Sequence, residues 1–590
     1  MAESIISPAV YLRENDISFI APAPIEAGAA FIGPTVKGPV EVPTVVTSYN
    51  EYVRKFGETF LSASNTYEFL TSVAVRNYFS QGGRTALVAR AVSGSYNEAK
   101  NTFLSSSASG PYSASEAFNI YTLGKGALYN NATSSLHAIQ NVSYSNADGS
   151  LISGSADNFR WEIANVNDKQ GTFTLLVRQG NDSTGNPIIL ETFPNVSLDP
   201  NSANFIEAVV GSQYQVIATD SDQNNFVSVA GSYPNNSNYI RVSVNRTTPN
   251  YLSTDGITVN VDSNNTSYSA SLPKATSGSF YNATGDIKAG ATIFSAISSS
   301  STNIQGLVAD NYTKIVSVLS NKDDYQFNIV SAPGIIDSNS IGASVNASII
   351  SLAESRGDCI AVVDMVEKGS PVSAVVTEAA GLNSSYAATY WPWVQVRSAT
   401  GKNEFVPAGT VIPGVYASTD ISAAPWFAPA GLTRGGLAGV IQAERKLTKA
   451  DRDLLYSGKV NPIATFPGTG ISVFGQKTLQ TKASALDRVN VRRLLIELKK
   501  FIGDQAKNLV FEQNSIATRN RFLATVNPYL ESVVQRQGLY AYRVVMDDTN
   551  NTADVVDRNQ LVGQIFIQPT RTIEYVVLDF VVEPTGVTFG

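Results

Sequence analysis

Alternation and helical spacing divide the chain into three stretches. Up to about residue 95, apolar strands mix with helical segments. Ser48 and Glu51 have the spacing of a capping box, in which a hydroxyl and a carboxylate satisfy the first free N–H groups of a helix; Tyr52, Val53 and Phe56 follow, and Gly57 stops it. From about 96 to 305 the apolar positions come in short alternating runs such as 173–177 (FTLLV), 214–218 (YQVIA) and 239–244 (YIRVSV), set among Ser, Asn, Thr and Gly. Period-two alternation predicts strands, and so one or two inserted all-β domains.

From about 306 the pattern turns α/β. Residues 327–330 (FNIV) and 359–363 (CIAVV) read as buried strands around a helical stretch near 349–354, and strand, helix, strand in that order predicts a largely parallel sheet. Thr448 and Asp451 open a helix that Gly458 closes, ahead of a strand at 460–466. The longest helix is expected from Ala485 to about Glu512. Val491, Leu494, Leu495, Leu498, Phe501, Ile502 and Leu509 share one face of it. Arg492, Arg493, Lys499, Lys500 and Lys507 share the other, which is either a solvated face or a docking surface for an acidic partner. Residues 570–582 (TRTIEYVVLDFVV) predict a strand apolar on both faces at the end of the chain. Such a strand invites pairing unless it is covered. Reading it as lent to a neighbour makes this a self-assembling structural protein.

At 590 residues the chain exceeds what one core supports, so about three to four domains are expected. Charged residues make up 15%, below the usual ~25%, which suits β-structure with a polar but weakly ionic surface. The net charge of −7 is uneven: residues 431–590 hold 20 Lys/Arg against 15 Asp/Glu, +5, leaving −12 for the remainder. No dense basic run with interleaved aromatics suggests nucleic acid, and no apolar run reaches the ~20 residues of a membrane span. The N-terminus does not read as a secretory signal, so the Asn-x-Ser/Thr triplets at Asn131, Asn195, Asn245 and Asn282 are read as chance products of composition.

Catalytic chemistry is hard to find. His137 is the single histidine and lies far in sequence from the single cysteine, Cys359, which reads as a small core residue in CIAVV. Residues 468–475 (GTGISVFG) fit neither a dinucleotide loop nor a phosphate loop ending in Lys-Ser/Thr, and read as a glycine turn. Asp547, Asp548, Asn550 and Asn551 lack the spacing of a calcium loop and read as a hydrogen-bonded turn. No cofactor, metal or catalytic residue is expected.

Several motifs, in order, resemble the contractile phage tail sheath family. The N-terminal part has Phe31-Ile-Gly-Pro34, Lys37-Gly-Pro39 and Tyr78-Phe79-Ser-Gln-Gly82-Gly83. The C-terminal part has Tyr390-Trp391-Pro392-Trp393, Gly414-Val-Tyr416-Ala417, Asn461-Pro462-Ile463, Phe466-Pro467-Gly468, Asn490-Val491-Arg492-Arg493, Phe511-Glu512-Gln-Asn514 and Ile567-Gln-Pro569. The match covers 1–95 and about 306–590. Ser7-Pro8-Ala9-Val10-Tyr11 departs mildly from the family's usual Pro-Gly-Val-Tyr.

The resemblance implies a mixed α/β (α+β) sheath core built from the N- and C-terminal parts, with inserted all-β domain(s) between. The expected map is an N-terminal arm at 1–20, core at 21–95, an outward-facing insert at 96–305, an α/β domain at 306–430, a C-terminal core domain at 431–569 and a C-terminal arm at 570–590. It implies no enzyme, but a subunit that stacks as hexameric rings around an inner tail tube, contacts baseplate and tail terminator proteins, and contracts to drive the tube through a host envelope. Ile5, Ile6, Val10, Tyr11 and Leu12 would form one inter-subunit arm and Ile573, Tyr575, Val577, Leu578 and Phe580 the other. Arg488, Arg492, Arg493, Lys499, Lys500 and Lys507 would face the tube. The rivals are the sheath of a tail-derived bacteriocin or injection particle, and a non-contractile surface or adhesion protein.

Overall fold

The computed structural model describes residues 25–575 except 63–64, 93, 105–115, 127–145, 152–153, 156–157, 222–223, 262–266, 286–311 and 469. An eight-stranded sheet forms the core. Its spatial order is Thr44–Val46, Ala86–Arg90, Ile25–Gly33, Tyr325–Ile336, Ile360–Asp364, Ala387–Trp391, Asn461–Phe466 and Gly470–Val473. All pairings are parallel except the two outermost.

Successive side chains of a strand point to opposite faces, so a sheet covered on both sides needs apolar residues at every position. The strands obey this. Ala30, Ile32, Leu87, Ala89, Ala361 and Val363 join the cluster under helices Tyr312–Leu319, Ser340–Arg356, Val372–Ala380 and Lys449–Ser457. Ala29, Phe31, Ala86, Val88, Ile360 and Val362 join the opposite cluster, under helices Tyr49–Phe56, Leu70–Ser80 and Ile412–Ser422. Cys359 is fully buried in the first cluster, where burial pushes its thiol up.

The expected caps form, with one variation. Thr448 and Asp451 satisfy each other's backbone N–H reciprocally. Ser48 accepts from Glu51 N at 3.2 Å, but the Glu51 carboxylate reaches one residue further back, to Thr47 N at 2.8 Å and Thr47 Oγ1 at 2.7 Å. Gly57 closes that helix at φ 75°, a conformation that costs a side chain but not glycine.

The chain leaves this core after Arg90 and rejoins it at Tyr312. Between them lie antiparallel sheets: four strands in the order Ile189–Ser197, Thr172–Gln179, Phe159–Asn167, Thr276–Gly278, and three in the order Ile240–Val244, Glu116–Lys125, Glu98–Leu104. Phe118, Trp161, Phe173 and Leu175 fill a separate cluster between them. Among the contacts that tie insert to core, two stand out. The buried Arg90 guanidinium donates to the carbonyls of Val36, Gly38 and Lys125. The hairpin Tyr214–Thr219/Asn225–Ala230 packs Ile217 and Val227 against the first core cluster, with Asn225 Nδ2 3.2 Å from Ser317 Oγ.

The C-terminal unit packs helices Val489–Lys507 and Ile516–Gln535 with the hairpin Leu539–Val545/Gln564–Pro569 around Trp426, Phe522, Val526, Leu530 and Val533. The helix expected over 485–512 is Val489–Lys507, preceded by a single 3₁₀ turn. It belongs to two cores at once: Val489 and Ile496 to the sheet, Leu494 and Leu498 to the C-terminal unit.

Candidate assembly surfaces

The hairpin Leu539–Val545/Gln564–Pro569 is a two-stranded sheet, and among the described residues neither outer edge pairs with another strand. Its second strand alternates strictly: Ile565 and Ile567 turn toward the unit's core, Gln564, Phe566 and Gln568 away from it. Tyr540 and Phe566 are 65% and 56% exposed. Two edges unpaired among the described residues and flanked by large exposed rings are physically able to take up an added strand. The following turn is the one expected: Asp547 Oδ1 accepts from Thr549 N at 2.9 Å and Asn550 Oδ1 from Asp547 N at 3.0 Å.

The strand expected over 570–582 begins differently. The ladder ends at Pro569, and Thr570–Tyr575 carries no strand in the single subunit. Side-chain clamps hold it instead. Glu574 accepts both arms of the Arg488 guanidinium, at 2.6 and 2.9 Å, and Gln476 Nε2 at 3.2 Å, while Gln476 also donates to Thr572. Burial opposes ionisation of Glu574, but the bonds from Arg488, Tyr456 and Gln476 outweigh it and hold the carboxyl below its usual range. Ile573 and Tyr575 point outward, 85% and 77% exposed. Val577, Leu578 and Phe580 lie outside the described residues, as do Ile5, Ile6, Val10, Tyr11 and Leu12 and His137.

The basic face of the long helix splits in two. Arg492 and Arg493 are buried, correcting their assignment to an outward face. Arg493 donates to both oxygens of Asp420 at 2.6 Å and lies 4.6 Å over the Tyr416 ring. Burial works against its charge, and the Asp420 carboxylate more than compensates, raising its pKa. Arg492 stacks 4.0 Å from the centre of Tyr386 and donates to Ser385 Oγ at 2.5 Å; burial without a carboxylate lowers its pKa. The first half of the helix is wedged between two cores, so even its polar side meets protein. Arg488 is likewise taken up by Glu574 and Asp487. Lys499, Lys500 and Lys507 remain beyond the wedge, lining a groove of about 320 Å³ with Lys322 and Arg356, and with Asp358 and Asp504 as its acids.

Sequence reasoning missed the Arg488–Glu574 clamp, which no spacing rule connects, and the helix Ile516–Gln535. The latter shows apolar residues at Phe522, Val526, Leu530 and Val533, a visible helical period, but Pro528 within it argues the other way. Among the described residues no three His, Cys, Asp or Glu side chains converge as metal ligands, and no helix is long and apolar enough to cross a membrane.

Two family models match: the phage tail sheath protein central domain over 306–479 and the phage tail sheath C-terminal domain over 481–583. The chain is 41% identical over 189 residues to the tail sheath protein of Vibrio phage KVP40, covering 32% of this chain and 28% of that one. It is 36% identical over 265 residues to the tail sheath protein of Enterobacteria phage T4, covering 42% and 40%. It thus spans less than half the length of these relatives, which are structural proteins rather than enzymes. A sheath tail protein from Listeria innocua shares the fold, with TM-score 0.51 and 10% identity over 92% of this chain and 95% of that one. The two domain models lie side by side over 306–583, the C-terminal part of the core and the unit that follows it, and over this part the chain is similar to phage tail sheath proteins.

Proposed function

We propose that the chain is the subunit of a contractile tail sheath, joined to its neighbours by strands lent from its two ends. The observation that carries this reading is the hairpin Leu539–Val545/Gln564–Pro569, both edges of which are unpaired among the described residues, beside the segment Thr570–Tyr575 clamped at Glu574. Main-chain bonds from a neighbour's segments 5–12 and 573–582 would satisfy those edges, with apolar side chains covering Tyr540 and Phe566.

Subunits stack as hexameric rings around a tail tube, between baseplate and tail terminator proteins, and become part of the virion after assembly in the host cytoplasm. Residues 1–20 and 570–590 are the arms, 21–95 with 306–569 the sheath core, and 96–305 the outward-facing insert. Contraction needs no nucleotide: the extended lattice is a local minimum beside a contracted one with more buried surface. At ~25 cal/mol per Å² of apolar area, a few hundred Å² more contact is worth several kcal/mol per subunit, less the desolvation of polar groups. Lys499, Lys500 and Lys507 form the tube-facing patch, whose exposed charge pairs are weak enough to break on triggering.

Negative-stain microscopy of the concentrated protein tests this reading. Tubes or rings are expected, and a chain lacking its final dozen residues should yield neither. Long contractile cylinders from the truncated chain would overturn it.

A further inference from the structure

Where the insert meets the core, the helix Tyr49–Phe56, residues 37–42 and the strands Glu116–Lys125, Tyr214–Thr219 and Ile240–Val244 wall a cleft of about 420 Å³. That is the size of a small-ligand site. Three kinds of group line it. Five cations line it, Lys37, Arg54, Lys55, Lys125 and Arg241, beside one lining acid, Glu98, and Lys55 is already paired with Glu51 at 2.8 Å. Aromatic rings come from Phe159, Tyr214 and Tyr239. The side-chain amides of Gln213 and Gln215 make no hydrogen bond among the described residues.

The cleft has one rigid wall. Arg241 is buried, donates to Glu98 Oε1 at 2.8 Å, and lies between Tyr121 and Tyr214, 4.0 and 4.1 Å from the ring centres. This sandwich fixes the plane of Tyr214 and neutralises Glu98, leaving Arg54 and Lys125 as positive charge on the approach to a flat ring.

We propose that this cleft binds an acidic saccharide. A pyranose presents an apolar C–H face for Tyr214, hydroxyls for Gln213 and Gln215, and a carboxylate for Arg54 and Lys125. A bare anion would leave the rings unused, and a neutral sugar would make no use of the charges of Arg54 and Lys125.

Isothermal titration of the full chain with trigalacturonic acid tests this. Saturable binding is expected, weakened tenfold or more by Tyr214→Ala and by Lys125→Ala, and unaffected by maltotriose as competitor. Because Tyr214 also stacks on Arg241, the exposed-site variants Gln215→Ala and Arg54→Ala decide if Tyr214→Ala does not fold, each with a severalfold loss expected. Absence of saturation at millimolar saccharide, equal competition by inorganic pyrophosphate, or unchanged affinity in the variants would each overturn the assignment.

Discussion

Arg488 grips Glu574 across 86 residues of sequence, its Nε 2.6 Å from Oε1 and its Nη2 2.9 Å from Oε2. The pair pins the segment Thr570–Tyr575 to the subunit. A bidentate guanidinium–carboxylate contact adds direction as well as energy.

Glu574→Ala should free that segment without unfolding the protein. The pair is partly solvated, so a loss of only about 1 kcal/mol in global stability is expected. Protease cleavage within 570–575 should accelerate markedly. Because the folded-state pKa is depressed, the anchor holds above the ordinary carboxylate range and is lost as pH falls through the lowered value. Cleavage that stays equally slow in the variant would show that Gln476 and Tyr456 suffice.

Asp420→Ala should cost far more than a surface ion pair, about 3 to 5 kcal/mol, because it strands the buried guanidinium of Arg493. Arg493→Met, which removes the charge instead, should cost less. Denaturant melts of the two variants give the order directly, and the reverse order would refute the argument.

Charge reversal at Lys499 and Lys507 should leave the melting temperature nearly unchanged, since both side chains are exposed. Co-assembly with tail tubes should fall and become less salt-sensitive. Sedimentation of tube-bound protein over a salt series measures both, and unaltered co-sedimentation would remove the patch from the tube interface.

Asp364 lies at the end of a central strand, buried, accepting from Gly409 N at 2.8 Å, and burial raises its carboxyl to about 7. The folded chain keeps this proton longer than the unfolded one. Its contribution to stability is therefore full below pH ~4, the unfolded pKa, and is lost as pH rises through about 7. Asp364→Asn, which keeps an acceptor for Gly409, should flatten that slope and raise stability above pH 7 by on the order of 3 kcal/mol. Parallel pH–stability curves for the two proteins would count against a raised carboxyl.

Local signals carried much of the fold. Thr448 with Asp451, Gly57 after Phe56, and the spacing of Val491, Leu494 and Leu498 concern neighbours within a turn or two, and the structure agrees with each. Gly468 and Gly470 sit at φ 82° and 84° in the hairpin turn that their residue type suggested. Contacts distant in sequence were not legible. Arg492 and Arg493 lie on the polar side of their helix, and only the arrival of Tyr386, Tyr416 and Asp420 buries them. The apolar run after Thr570 reads as strand throughout, whereas its first residues are turned aside by Arg488 and Gln476. Of the candidate surfaces, Ile573 and Tyr575, expected as arm residues, are exposed in the structure, and the hairpin Leu539–Val545/Gln564–Pro569 was not legible in the sequence.

The 19-residue helix Val489–Lys507 is a girder built into two buildings. Neither can lean without the other. In the contractile sheath proposed above, the sheet and the C-terminal unit would therefore travel as one stiff block, and the give would lie outside this joint.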